Sequence, residues 1–299
     1  MSKLFRYSLF LFILVGLPFM ALPVLPNALA LPTPAAISAV FTVAYLGILM
    51  AVVRRTRLWP DRGWAPALLA VLWGAGTSYA LVSVSAPSII DLAAHTGATT
   101  TAASWGGAYP EEIAKAAGVV FILLAFRQLN RPWHGFVIGM LVGLGFESFE
   151  NLLYGIVMSP IHPSSDIMGV LQIWGARVFL GPFLHIAFTG LAGWGIGWSL
   201  FAAGKSLPWR LAHALGWFAV AFACHFGWNI LGDNLVLLIG SKIVTGLVLY
   251  SAFIYVWVAA FKAAKPQNEL YTAVSQLPSK QSPSNQSPSS ESPNKQPAH

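Results

Sequence analysis

The sequence predicts an all-α fold, a polytopic transmembrane helical bundle of about eight spans with both termini in the cytoplasm. Three observations lead there. The 299-residue chain is 56% hydrophobic and only 9% charged, with 12 Trp and a mean hydropathy of +0.66, a profile of membrane-embedded rather than soluble chains. Apolar runs of about twenty residues recur along it, as a hydrocarbon core roughly 30 Å thick demands of helices rising about 1.5 Å per residue. The basic residues fall almost entirely between alternate runs, on one side of the bundle.

In chain order, the first run covers roughly 8 to 29 and follows Lys3 and Arg6. Its basic start, apolar middle and small-residue end at Ala28-Leu29-Ala30 also fit a cleavable signal peptide, and Pro18, Pro23 and Pro26 suit either reading. Runs at roughly 36 to 53 and 65 to 86 flank Arg54, Arg55, Arg57 and Arg62; those at 110 to 126 and 135 to 158 flank Arg127 and Arg131. Runs at 173 to 203 and 211 to 232 flank Lys205 and Arg210, and the last, 235 to 261, precedes Lys262, Lys265, Lys280 and Lys295. Only Lys115, Arg177 and Lys242 depart from this pattern, so the positive-inside rule puts both termini in the cytoplasm. The same distribution accounts for the net charge of +7 without a nucleic-acid partner.

Between the runs, residues 87 to 108, rich in Thr, Ala and Gly, read as the longest outer loop and "SPIHPSSD" at 159 to 166 as a second. From Pro266 the composition turns to Ser, Pro and Gln, too poor in apolar residues to fold. The chain therefore divides into a first span or signal-like segment (1–34), a transmembrane bundle (35–265, with its informative core at 105–232) and a disordered cytoplasmic tail (266–299). A single Cys, Cys224, excludes an internal disulfide framework.

Of ten acidic residues, four (Glu111, Glu112, Glu147 and Glu150) lie inside two apolar runs. A charge at mid-helix costs about 2.5 to 3.5 kcal/mol on insertion scales, and such residues face a bundle interior or a water-filled cavity. In "YPEEIAKAAG" (109–118), Lys115 lies one turn from both Glu111 and Glu112, so it can reach either carboxylate on one helical face. Adjacent carboxylates tend to differ in proton affinity, which suits acid-base chemistry. Taken alone, the segment is equally well explained as a helix start, with Pro110 in the first turn and acids at the positive end of the helix dipole. In "GFESFENLLYG", Glu147 and Glu150 share a face and Asn151 follows; a salt bridge to Lys115 is the plain reading of Glu150. His185 has Thr189 one turn later, and His225 has Asn229 at the same spacing. Gly190, Gly193 and Gly197 read as a surface for close helix packing. With the topology fixed by basic residues alone, Glu111, Glu112, Glu150, His225 and Asn229 fall in the outer half of the bilayer and His185 near its midplane, levels at which they can converge.

These motifs, EEIAK at 111 to 115, F-x-x-x-E at 146 to 150 with Asn151, His185 followed by Thr189 and Gly190, and H-x-x-x-N at 225 to 229, resemble the PrsW family of intramembrane proteases. That family is distantly related to CAAX prenyl proteases and bacteriocin-processing membrane proteases. The resemblance implies hydrolysis of membrane-anchored protein substrates within the bilayer of a bacterial plasma membrane, near its outer leaflet, as in the processing of anti-sigma factors. It further implies that Glu111, Glu112, Glu150, His185 and His225 are catalytic, supported by Lys115, Asn151, Arg177 and Asn229. Glu147 has no counterpart in the pattern.

Two mechanisms are chemically open. In one, Glu150, His185 and His225 bind Zn²⁺ and a glutamate of the first motif deprotonates water. In the other, no metal takes part: a glutamate activates water, a histidine assists and Asn229 donates a hydrogen bond to the oxyanion. Adjacent glutamates beside a lysine favour proton handling and hence the second. A rival reading makes the same buried acids and histidines the relay of a proton- or ion-coupled transporter.

Overall fold

The computed structural model describes residues 3–60, 64–232 and 234–264; the Ser/Pro-rich tail and Arg62 lie outside them. All regular structure among the described residues is helical. Two long helices, α1 (Lys3–Ala30) and α2 (Pro32–Arg54), come first. Then α3 (Ala65–Leu72) runs through a π-helical turn at Trp73–Ser78 into α4 (Tyr79–His95). The short α5 (Thr99–Gly106) leads to α6 (Ala108–Ala125), α7 (Pro132–Val157), α8 (Asp166–Phe179) and α9 (Leu184–Phe201). The last two are α10 (Leu207–Trp228) and α11 (Leu235–Ala263). Prolines in the first turns of α2, α3, α7 and α10 start those helices where the missing N–H costs nothing.

Seven helical segments among the described residues are long and apolar enough to cross a membrane. The expected fourth span, α6, has 18 residues, about 27 Å at 1.5 Å per residue, but Glu111, Glu112 and Lys115 in its opening turns keep it from the apolar set. The expected outer loop at 87–108 is mostly helical, because the apolar run continues through Ile89, Ile90 and Leu92 to the end of α4. Ile90 packs so closely on α5 that a Cβ on Gly106 would lie 2.2 Å from its side chain. The expected span at 173 to 203 is not one helix. It breaks at Leu180-Gly181-Pro182-Phe183, where Pro182 cannot continue α8 and Phe183 adopts φ +61°.

At the centre stands α7, whose most apolar stretch is 83% buried against 17% for α1 and for α10. Its Gly135, Gly139 and Gly143 face α9 so tightly that a Cβ on any of them would lie 2.2 Å from a carbonyl oxygen of Gly193, Thr189 or His185 respectively. Gly193 and Gly197 meet α7 in the same manner. In lipid, where the hydrophobic effect does not drive helices together, small residues let backbones approach until dispersion does. The π turn sets α6 against this pair: the Trp73 indole donates to the Ala114 carbonyl at 2.9 Å. On its other side α1 leans on the same turn, with the Thr77 hydroxyl donating to the Phe12 carbonyl at 3.1 Å.

Candidate active site

Four helix ends meet at one level. Glu111 and Glu112 lie in the first turns of α6, His185 is the second residue of α9, and Glu150 and His225 lie in the closing turns of α7 and α10. Antiparallel neighbours alternate their ends, so these residues share one end of the bundle. Arg127, Arg131, Lys205 and Arg210 lie at the other. The break between α8 and α9 explains the depth of His185. It sits near a helix start, level with the acids, and not at the middle of a continuous span.

Lys115 is the hub of the α6 side. Its ammonium lies 2.6 Å from Glu112 Oε1 and 3.3 Å from Glu111 Oε2, as the one-turn spacing requires. It also lies 3.0 Å from His185 Nδ1 and 4.6 Å above the Phe146 ring centroid. An ammonium has only donors, so His185 Nδ1 accepts and the ring proton sits on Nε2. That Nε2 donates to Glu150 Oε2 at 2.9 Å. The same oxygen accepts from Arg177 Nη2, and Arg177 Nε donates to Asn151 Oδ1. The second imidazole is fixed likewise: His225 Nδ1 donates to Glu112 Oε1 at 2.8 Å, which turns its Nε2 lone pair toward Glu111 Oε2, 3.8 Å away. Each imidazole thus has a carboxylate behind it; the lone pair of His225 faces Glu111, while that of His185, 3.6 Å from Glu111 Oε2, accepts from Lys115.

Beside the cluster opens a cavity of about 480 Å³, walled by α4 through α11. Glu111, Glu150, His185, His225 and Asn229 line it; Glu112 does not. Gly107 lets Asn229 approach the start of α6, since a Cβ there would lie 2.7 Å from the Asn229 amide nitrogen and 3.4 Å from Glu111 Oε1.

The sequence brought these residues together but missed Phe188 and Tyr45, and it gave Glu147 no role. Phe188, one turn past His185, stacks on His225 with centroids 4.7 Å apart and planes at 9°; its spacing from His185 was a usable signal. Glu147 does not join the carboxylates around Lys115. Its oxygens accept from the Tyr45 hydroxyl at 2.6 Å and from the backbone N–H of His185 at 3.0 Å. Tyr45, on α2, carried no signal in sequence.

A pattern of the PrsW family of intramembrane metalloproteases matches residues 62–261, well over half of the chain. The chain belongs to the PrsW family. No curated protein and no solved structure matches it. Membership makes the protein a multi-pass membrane peptidase, and sets the transporter reading aside. A PrsW protein is described as a metalloprotease, which weighs against the metal-free form favoured by the sequence. The donors present suit a metal ion. Glu111, Glu112, His185 and His225, all buried, each offer a ligand atom within 4.8 Å of the others. Glu112 Oε2 is buried without a hydrogen-bond partner. Three carboxylates, Glu111, Glu112 and Glu150, face two fixed cations, Lys115 and Arg177, so the charge balance also leaves room for a cation. Glu150, expected as a ligand with the histidines, is not in this group; its Oε2 is occupied by Arg177 and His185 Nε2.

Proposed function

We propose that this chain is an endopeptidase that cuts membrane-anchored protein substrates near the outer face of a bacterial plasma membrane, with the cluster around Glu111 as its active site. The observation that carries the reading is the convergence of two oriented imidazoles and two carboxylates, one of which, Glu111, opens onto a cavity large enough for an extended peptide segment. The outer face is supported by the position of the cluster, at the bundle end opposite Arg127, Arg131, Lys205 and Arg210. A membrane-anchored anti-sigma factor, whose cleavage would begin a signalling cascade, is the substrate class to test first.

The roles divide by exposure. Glu111 lines the cavity and acts as general base, taking the proton of the attacking water and passing it to the leaving amine. Lys115 holds that carboxylate in place. Asn229, on the same wall, donates its amide to the oxygen of the tetrahedral intermediate. His185, His225 and Glu112 would hold the metal ion, Zn²⁺ by the preference of mixed imidazole and carboxylate donors. When bound, such an ion polarises the scissile carbonyl and acidifies water. Glu150, held by Arg177, which Asn151 anchors in turn, fixes the tautomer and tilt of His185.

The test is co-expression of wild type, Glu111→Gln and His225→Ala with single-span candidate substrates. Wild type produces a cleavage product on the outer side of the span. Both variants lose it by at least about 10³-fold, in the range of losing an essential acid-base group. Dialysis against a chelator abolishes cleavage, and Zn²⁺ restores it. Fragments unchanged in both variants would overturn the site; activity indifferent to chelation would remove the metal.

A further inference from the structure

Glu147 stands apart from the other acids. It is 3% exposed, yet no lysine, arginine or histidine side chain forms an ion pair with it among the described residues. Its partners are instead backbone N–H groups and a tyrosine. Oε2 accepts from the N–H of His185 at 3.0 Å and of Ile186 at 3.4 Å, and Oε1 from the Tyr45 hydroxyl at 2.6 Å.

Those two N–H groups are the second and third of α9. The first turn of any helix leaves such donors without intrahelical acceptors, and the residue before the helix ordinarily supplies a side-chain oxygen. Here that residue is Phe183, which has none. Glu147 supplies it from a different helix, and its negative charge lies at the positive end of the α9 dipole.

The corner itself needs holding. Phe183 adopts φ +61°, a left-handed conformation unfavourable for a bulky residue. It stacks on Tyr45, with ring centroids 6.4 Å apart and planes at 19°, while Tyr250 of α11 donates to the Pro182 carbonyl at 2.8 Å. Tyr45 therefore acts twice, on Glu147 and on Phe183. It also precedes the stretch that matches the family, which begins at residue 62.

We propose that Glu147 is a positioning residue, a cap supplied from α7 to α9, and that Tyr45 of α2 completes it, so that the aim of His185 depends on a helix outside the family-matched region. The inference rests on His185 belonging to the active site. In this role Glu147 transfers no proton; it fixes the backbone from which the imidazole projects.

The test compares the full-length protein with Glu147→Ala, Glu147→Gln and Tyr45→Phe, purified in detergent, by amide hydrogen exchange over residues 183–190 and by cleavage kinetics. Exchange reads local opening directly and needs no substrate. Glu147→Ala raises exchange at His185 and Ile186 and lowers kcat by about 10- to 100-fold, the scale seen when groups orienting a ligand are lost, with KM within about twofold. Glu147→Gln keeps an acceptor for both N–H groups and stays within a few-fold of wild type. Tyr45→Phe falls between. Unchanged exchange in Glu147→Ala would overturn the proposal. So would a kcat loss no larger than the loss of folded protein, or a Gln variant as impaired as Ala, which would make the charge itself the function. If wild type cleaves no substrate, the proposed function fails while exchange still decides the role of Glu147.

Discussion

His225 lies near the end of α10, an unbroken 22-residue helix, whereas His185 begins α9 two residues after a left-handed corner. The helix carrying His225 fixes its own backbone, and one buried carboxylate, Glu112, orients the ring. His185 depends on props from elsewhere: Lys115 and the Arg177-held Glu150 at the ring, Glu147 at the backbone. Burial follows the same division. The side chains of Glu112 and Lys115 are 0% exposed, while those of Glu150 and Arg177 are 16% and 25% exposed. One half of the site is thus part of the protein's core, and the other is an assembly around a break in a helix. Damage to the first should cost both fold and activity; damage to the second, mainly activity.

The largest effect belongs to the buried half. Glu112→Ala removes the closest partner of Lys115 and the acceptor of His225 Nδ1. Deleting one partner of a buried pair costs about 3 to 5 kcal/mol where the other charge is left alone; Glu111, 3.3 Å from the ammonium, puts the loss toward the lower figure. Thermal unfolding in detergent should show a large drop in midpoint together with abolished cleavage. A variant that is inactive but unfolds like wild type would erase the distinction between the halves.

On the other side, Glu150→Gln should lower kcat by about 10- to 100-fold, as expected when the group orienting a histidine ligand is weakened. Its unfolding midpoint should fall by less than that of Glu112→Ala, because the neutral amide still accepts from Arg177, which is a quarter exposed and can be partly hydrated. Steady-state kinetics beside thermal unfolding separates the two quantities. A stability loss as large as that of Glu112→Ala would show Glu150 to be a core residue after all.

The same division governs what was legible in the sequence. Lipid requires long apolar helices, so most spans could be read directly. The pairing of Lys115 with both glutamates follows from one-turn spacing, and Gly193 and Gly197 do pack closely on α7. The break at 180–183 was hidden because Gly-Pro, normally a turn signal, lies in a run apolar enough to pass for one span. Once that run is taken as continuous, His185 is placed too deep and nothing calls for a cap. Glu147 and Tyr45 were beyond reach for a further reason: their partners are 38 and 102 residues away and follow from packing rather than period. The contribution of Glu150 was visible as a motif, but its pairing with Arg177 and His185 depended on where α8 ends.

The smallest expected effect lies at the meeting point of the two halves. Gly107 adjoins both the Asn229 amide and Glu111, and a Cβ there would come within 2.7 Å of the amide nitrogen. That atom ends a side chain on the cavity wall and can move aside, and the Ala103 carbonyl, 3.0 Å away, has to give by only a few tenths of an ångström, so Gly107→Ala should fold. The displaced amide would no longer point at the developing oxyanion. We expect kcat to fall by about tenfold, equivalent to about 1.4 kcal/mol of transition-state stabilisation, against about 10²- to 10³-fold for Asn229→Ala, which removes the donor entirely. If Gly107 acts through Asn229, the double variant should be no slower than Asn229→Ala alone, because residues acting in series are not additive. A full further tenfold loss would mean that the added methyl disturbs the Ala103 carbonyl, 3.0 Å away, or Glu111, 3.4 Å away.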